Sequence, residues 1–217
     1  MDPIKLIIFD LDGTLIDSLP DLADATNAVR EKYALPRLTA EEVRKLVGQG
    51  ARSLVERALP GADPERIEEA LGFFLSYNLA HITDKTRPYP GVVETLAALQ
   101  GRGLALCVLS NKNEALCREV LSRLGLGSFF PTVRGADSYP LRKPSPEPVL
   151  ALLREFGVAS GECLLVGDSI NDVAAGVGAG VVTVGCSYGY GDPAELKDAD
   201  YRVRDFPSLL ELPLFSN

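Results

Sequence analysis

The sequence predicts an α/β fold: a parallel sheet with helices on both faces and an all-helical segment inserted after the first strand. Three observations predict it. Four short apolar runs each lead into a Gly, Ser or Asp and then a helical pattern, and runs apolar on both faces suit strands of a parallel sheet covered on both sides. The stretch from about Ser18 to Thr83 breaks that rhythm, with helical periodicity and no strand-like run. Carboxylates, hydroxyls and amides cluster where the apolar runs end, and in open α/β sheets ligands bind at the carboxyl ends of the strands.

The first run is Lys5-Leu-Ile-Ile-Phe9. In the inserted segment, Leu22, Ala25, Ala28 and Val29, and later Leu71, Phe74, Leu75 and Leu79, recur at helical spacing. Thr39-Ala-Glu-Glu42 has the form of a capping box, and Asp63-Pro64 pairs an N-cap residue with proline at the first helical position. The chain returns through Lys85-Thr-Arg-Pro-Tyr-Pro-Gly91, where two prolines restrict it to extended geometry and a hinge is expected. Then follow the run Leu104–Leu109, a helix over Glu114–Leu124, a short apolar piece at Thr132–Arg134, a helix over Pro146–Phe156, and the runs Glu162–Val166 and Val181–Val184. Strand alternating with helix completes a Rossmann-like core of residues 1–17 and 84–217 around a helical cap of residues 18–83.

Composition narrows the function. Lys and Arg number 22 against 30 Asp and Glu, a net charge of −8, which disfavours nucleic acid as a partner. No apolar run reaches the ~18 residues of a membrane span, and the start Met-Asp-Pro-Ile-Lys lacks the features of a signal peptide. Cys107, Cys117, Cys163 and Cys186 form no CxxC pair and read as buried thiols of a reducing compartment, so a cytoplasmic protein is expected. The one histidine, His81, lies in a helical stretch without a nucleophile motif and reads as a packed or surface residue. Triad and His-rich metal chemistry would both have to run through it, so the chemistry falls to carboxylates, lysine or a metal.

The first strand ends in Asp10-Leu11-Asp12-Gly13-Thr14. Residues i and i+2 of a strand project to one side, and two carboxylates ~4 Å apart repel by about 4 kcal/mol at an effective dielectric near 20, so a cation is needed. An EF-hand loop starting at Asp10 fails because Leu15 stands where glycine is required. Gly-Asp168-Ser-Ile-Asn-Asp172 places another carboxylate at a strand end and one more four residues later on the helix that begins there. Asp10, Asp168 and backbone oxygens make a hard, oxygen-only site that suits Mg²⁺. Ser110-Asn111, at the start of a helix, offers a hydroxyl, an amide and helix N-terminal amides to phosphate oxygens. Lys143, in a stretch kept non-helical by prolines, offers a point charge. Alone, Ser110 and Asp168 would read as N-caps and Lys143 as a surface lysine. Gly176-Val-Gly-Ala-Gly180 follows a helix rather than a strand, so helix-end glycines account for it better than a dinucleotide loop.

Taken in this order, Asp-Leu-Asp-Gly-Thr, Ser-Asn, Lys-Pro and Gly-Asp-Ser-x-x-Asp resemble the haloacid dehalogenase superfamily of phosphotransferases across nearly the whole chain, and the helical insertion looks like that superfamily's C1 cap. The segments Val47–Leu59 and Tyr188-Gly-Tyr-Gly191 are similar to bacterial phosphoglycolate phosphatases. The resemblance implies an enzyme acting on a small-molecule phosphate ester. Asp10 would be the nucleophile that forms an aspartyl-phosphate, and Asp12 the general acid and base. Ser110, Asn111 and Lys143 would hold the phosphoryl oxygens. Mg²⁺ would sit on Asp10, Asp168 and the backbone carbonyl of Asp12, with Asp172 supporting Lys143 or a metal-bound water and Gly13 and Thr14 completing the first motif.

Two other functions compete. A sugar phosphomutase uses the same motifs, but the insert lacks the Lys-Gly-x-Ser-Arg pattern of β-phosphoglucomutases. A non-catalytic phospho-acceptor needs neither a cap nor Asp12. Dehalogenation is disfavoured because that branch has no second acid in the first motif. Substrate selection is expected from the insert, where Gly48 and Gly50 would let backbone approach a small anion and Arg52 lies nearby in sequence; 2-phosphoglycolate is the expected substrate.

Overall fold

The computed structural model describes residues 3–215. Strand β1 (Leu6–Phe9) opens the sheet. A two-residue pair, β2 (Ile16–Asp17) and β3 (Arg87–Pro88), flanks the insert of α1 (Leu19–Lys32), α2 (Ala40–Arg44), α3 (Gly50–Ala58) and α4 (Pro64–Ala80). The rest alternates: α5 (Val92–Gly101), β4 (Ala105–Leu109), α6 (Glu114–Arg123), β5 (Thr132–Arg134), α7 (Glu147–Phe156), β6 (Cys163–Gly167), α8 (Ile170–Ala179), β7 (Val182–Cys186) and β8 (Tyr201–Val203). The six-stranded sheet has the order β5-β4-β1-β6-β7-β8, parallel throughout.

Alternation along each strand builds two cores. Ile7, Phe9, Leu106, Val108, Leu164 and Val166 point to one face, where Leu96 and Leu99 of α5 and Leu116 and Val120 of α6 cover them. Leu6, Ile8, Cys107, Leu109, Cys163 and Leu165 point to the other, under Val149 and Leu152 of α7 and Ala175 of α8. Burial on both faces is why these strands read as unbroken apolar runs. The expected strands all form, and a sixth, β8, joins them at the edge. Its Tyr201-Arg202-Val203 is partly buried, exposed and buried in turn, too short and too polar to read as a core strand.

The insert has a core of its own, with Leu22, Ala25, Val29, Leu54, Val55, Ile67, Ala70 and Phe74 buried together. Thr39 closes the expected capping box with Glu42, and the Asp63 side chain accepts from the Arg66 amide ahead of Pro64. One expectation is corrected: Leu79 is exposed, and Asn78 is buried beside it. His81 ends α4, exposed, with Nδ1 2.8 Å from Asp84 Oδ2. Gly180, left-handed, ends α8 as a helix-end glycine.

The two connections to the insert run side by side. Strands β2 and β3 pair antiparallel, Ile16 opposite Pro88 and Asp17 opposite Arg87. The buried carboxylate of Asp21, in the first turn of α1, accepts from the backbone N–H of Lys85 (3.0 Å) and from the backbone N–H (2.8 Å) and hydroxyl (2.7 Å) of Thr86. All four cysteines are buried and unbridged. Among the described residues no helix is long and apolar enough to cross a membrane.

Candidate active site

The sheet order reverses direction at β1, with β4 on one side and β6 on the other, and such a switch point opens a crevice at the carboxyl ends of the strands. The register Phe9↔Val108 and Phe9↔Val166 brings the three ends level. Asp10 directly follows β1, Ser110 follows β4 and Asp168 follows β6, and all three line one cavity of about 510 Å³. The insert forms the facing wall, with Arg44, Val47, Gly48, Gly50, Leu54 and Phe74 among its lining residues.

Lys143 is buried at the centre of a charge cluster. Its Nζ lies 2.6 Å from Asp172 Oδ1 and 3.0 Å from Asp10 Oδ1. Burial alone would push the ammonium down, but the carboxylates of Asp10 and Asp172 outweigh it and hold it above its ordinary range. Asp172 has both oxygens engaged, because Oδ2 accepts from the backbone N–H (3.1 Å) and hydroxyl (2.8 Å) of Ser169 at the start of α8. Its Oδ1 holds the Lys143 ammonium while Oδ2 is tied to the start of α8.

Asp168 accepts at Oδ1 from the Thr14 hydroxyl (3.2 Å) and at Oδ2 from the Tyr190 N–H (2.6 Å). Gly13 has φ +86°, and a Cβ built there would stand 2.4 Å from Asp168 Oδ2, so the position excludes any side chain. Burial raises Asp10 to about 6, offset in part by Lys143, and raises Asp168 to about 8, reinforced by Asp172 and Asp10.

Carboxylate oxygens of Asp10, Asp168 and Asp172 all lie within 4.8 Å of one another, with one ammonium among three acids. Asp10 Oδ1, although near Lys143, has no well-aligned hydrogen-bond donor. Excess negative charge, an under-satisfied buried oxygen and an all-oxygen donor set fit a hard divalent cation. The Asp12 side chain is outside this cluster. Its carboxylate instead accepts from the Ser18 hydroxyl (2.5 Å) and from Lys112 Nζ, which is 3.2 Å from both oxygens.

Several expectations need correction. The Asn111 side-chain amide donates to the carbonyls of Gly48 (2.9 Å) and Lys143 (2.8 Å), so it ties the insert and the lysine loop together and is not free for a phosphoryl oxygen. Ser110 and Asn111 also stand ahead of α6, whose N-cap is Asn113; Ser110 is buried in the cavity wall, and its Oγ accepts from the Lys112 N–H at 3.3 Å. Arg52 does not line the cavity. It points outward from α3, about half exposed, and pairs with Glu68 at 2.7 Å, because the apolar side of α3 carrying Leu54 and Val55 turns into the insert's core. Gly48 and Gly50 do line the cavity with positive φ, and a Cβ at Gly50 would stand 2.9 Å from the Asn111 carbonyl, so their close approach is to the core's backbone and amides.

Sequence reasoning gave no role to Lys112, Arg44 or Ser18. Lys112 adjoins Ser110-Asn111 and could have been found as the next residue of that strand end. Arg44 donates Nε to the Tyr190 carbonyl and Nη2 to the Gly189 carbonyl, both at 2.9 Å, across more than 140 residues that no local pattern links. The Tyr190 hydroxyl meets the Ser18 N–H (2.6 Å) and Asp17 Oδ1 (2.9 Å) where the chain enters the insert.

A parallel sheet with two strand-end acids, Asp10 and Asp168, a buried lysine and a helical wall facing them fits the α/β hydrolase class. The family model described as haloacid dehalogenase-like hydrolase matches residues 7–186, and the chain belongs to that family. It is 41% identical over 214 residues to a protein of Chromobacterium violaceum named phosphoglycolate phosphatase, covering 96% of each chain. A protein of the same name from Neisseria gonorrhoeae is 40% identical over 205 residues, covering 92% of this chain and 87% of that one. Among solved structures, a predicted phosphoglycolate phosphatase from Haemophilus somnus superposes with a TM-score of 0.93 at 34% identity, covering 97% of this chain and 98% of that chain.

Proposed function

We propose that this chain hydrolyses small phosphate monoesters, 2-phosphoglycolate foremost, through a phosphoryl group carried on Asp10. The observation that carries this reading is the pairing at one strand end: Asp10 beside the buried Lys143, and Asp12 held by Ser18 and Lys112, both acids facing the same cavity. Asp10 attacks phosphorus as the bond from phosphorus to the ester oxygen breaks, and Asp12 gives its proton to the departing alcohol. Asp12 then takes a proton from water as that water attacks the aspartyl-phosphate, and the bond from phosphorus to Asp10 breaks to restore the carboxylate. Lys143, the Ser110 hydroxyl and the Asn111 backbone N–H hold the phosphoryl oxygens as charge redistributes.

Asp10, Asp168 and the Asp12 carbonyl would hold Mg²⁺, and the ion supplies positive charge that lets an anionic ester approach two acids. The insert excludes water from the cavity and contacts the leaving group. The shared name of the relatives and a cavity bounded by Leu54, Phe74 and the Gly48–Gly50 loop support a small substrate. The buried thiols support a reducing compartment, the cytoplasm.

The test is phosphate release from a panel of monoesters, with Mg²⁺ and with EDTA, using Asp10→Asn as control. Release that needs both Mg²⁺ and Asp10, fastest with 2-phosphoglycolate, is expected. Release from no ester would overturn the hydrolase reading, and release from bulky sugar phosphates alone would overturn the substrate.

A further inference from the structure

We infer that Lys112 is a specificity-determining residue, selecting esters whose leaving group carries a carboxylate on the carbon next to the ester oxygen. The inference rests on the phosphomonoesterase reading and deepens it. The leaving oxygen of any substrate must lie against Asp12, which protonates it, so atoms attached to that oxygen lie beside whatever else touches Asp12. Two side chains touch it, the Ser18 hydroxyl and Lys112, and of these Lys112 carries charge into the cavity: Nζ is 3.2 Å from both Asp12 oxygens, and the side chain is only 9% exposed and lines the cavity.

The backbone beneath this ammonium is anchored. The Lys112 carbonyl accepts from the Ala136 N–H at 2.9 Å and its N–H donates to Ser110 Oγ at 3.3 Å. Gly135 packs so closely below that a Cβ there would stand 2.6 Å from the same carbonyl. Three of the four other cations that line the cavity are otherwise engaged, and the fourth lies at its rim. Arg44 is bound to the carbonyls of Gly189 and Tyr190, and Arg57 to those of Lys45 and Leu46. Lys143 lies between Asp10 and Asp172, and Lys45 is exposed at the rim.

An ammonium has three donors. The Asp12 carboxylate faces Lys112 from one side, which leaves donor capacity for a second carboxylate two bonds from the ester oxygen. Without Lys112, such a leaving group would face Asp12, once Asp12 has given up its proton, as like charge against like. A leaving group with a hydroxymethyl in place of the carboxylate gains nothing from the lysine beyond a neutral hydrogen bond, which is weaker.

The test compares 2-phosphoglycolate with 2-hydroxyethyl phosphate, which differs only in that replacement. Binding of both is measured by calorimetry in an Asp10→Asn background that does not turn over, with and without Lys112→Met, and kcat/KM for both is measured in the chain with Asp10 intact. The preference for the carboxylate ester is expected to fall about 10–100-fold in Lys112→Met, the range of one charged hydrogen bond. Lys112→Arg should retain most of it, and Lys112→Gln, which keeps a donor without charge, should lose it and serves if Lys112→Met does not fold. Equal losses for both esters would overturn the inference and leave Lys112 as a support for Asp12 alone. If the unmodified chain released phosphate from neither ester, the hydrolase reading would fall, and the binding comparison would still decide the role of Lys112.

Discussion

On the sheet side of the cavity, Asp168, Asp172 and Lys143 are buried and Asp10 nearly so, Lys143 pairs with Asp10 and Asp172, and level strand ends impose the register of Asp10 and Asp168. On the insert side the contact is made by other means: the Arg44 guanidinium on two backbone carbonyls, the Gly48 carbonyl under the amides of Asn111 and Asn171, and apolar side chains. The charges of the insert's own surface pair with one another on the outside, as Arg52 does with Glu68 and Lys32 with Glu69. The proposed reacting groups thus sit where the backbone is most constrained, while the insert, a piece with its own core, docks over them through a few hydrogen bonds. The two halves should respond differently to perturbation.

The largest effect is expected from Lys143→Met. It leaves Asp10 and Asp172 buried without their cation, and breaking a buried pair from one side costs about 3–5 kcal/mol. Urea unfolding should show that loss in metal-free protein, and phosphate release should fall with it. A variant as stable as the parent would mean that the acids are neutralised some other way.

The raised carboxylates set a pH dependence of definite sign. Asp10 at about 6 and Asp168 at about 8 bind protons more tightly folded than unfolded, where the reference value is about 3.9. Their contribution to stability is therefore present in acid and lost as pH rises from about 4 through about 8. In EDTA, the melting temperature should fall across that window, and Mg²⁺ should restore it more at pH 8 than at pH 5. Equal gains at both would separate the metal from these acids.

A smaller effect should follow Arg44→Ala, which removes two hydrogen bonds from a partly exposed cation, each worth about 1.5 kcal/mol at most in such a setting. KM should rise more than kcat falls, because docking is weakened and the sheet side is untouched. Arg52→Ala should do least, leaving both KM and the unfolding midpoint in place, since an exposed pair contributes little. A raised KM there would return Arg52 to the list of selecting residues.

What was legible in the sequence follows the same division. Strands buried on both faces announce themselves as apolar runs, and Asp10, Ser110 and Asp168 could be placed because each directly follows one. The helix starts at Thr39 and Asp63 were legible because capping is local chemistry. Contacts across the cavity were not. Nothing near Arg44 marks it as a partner of Gly189 and Tyr190, and nothing near Arg52 shows that the side of α3 it occupies turns outward. The exchange of Leu79 for Asn78 on the buried side of α4 shows a periodic reading one residue off where the helix faces a polar cavity rather than a core. The sixth strand was hidden because an edge strand of three residues is half polar.

Ser18 immediately precedes α1, the first helix of the insert, and its hydroxyl holds Asp12 at 2.5 Å. The pivot on which a moving arm would turn is thus one bond from the hydrogen bond that aims the proposed proton donor. With Asp21 stapling the same helix to Lys85 and Thr86, just ahead of β3, any torque on the arm would fall on one short segment. A rotation of the insert about this segment would carry the acid's hydrogen-bond partner with it, so a substitution that changes the arm's angle is expected to change the acid's aim.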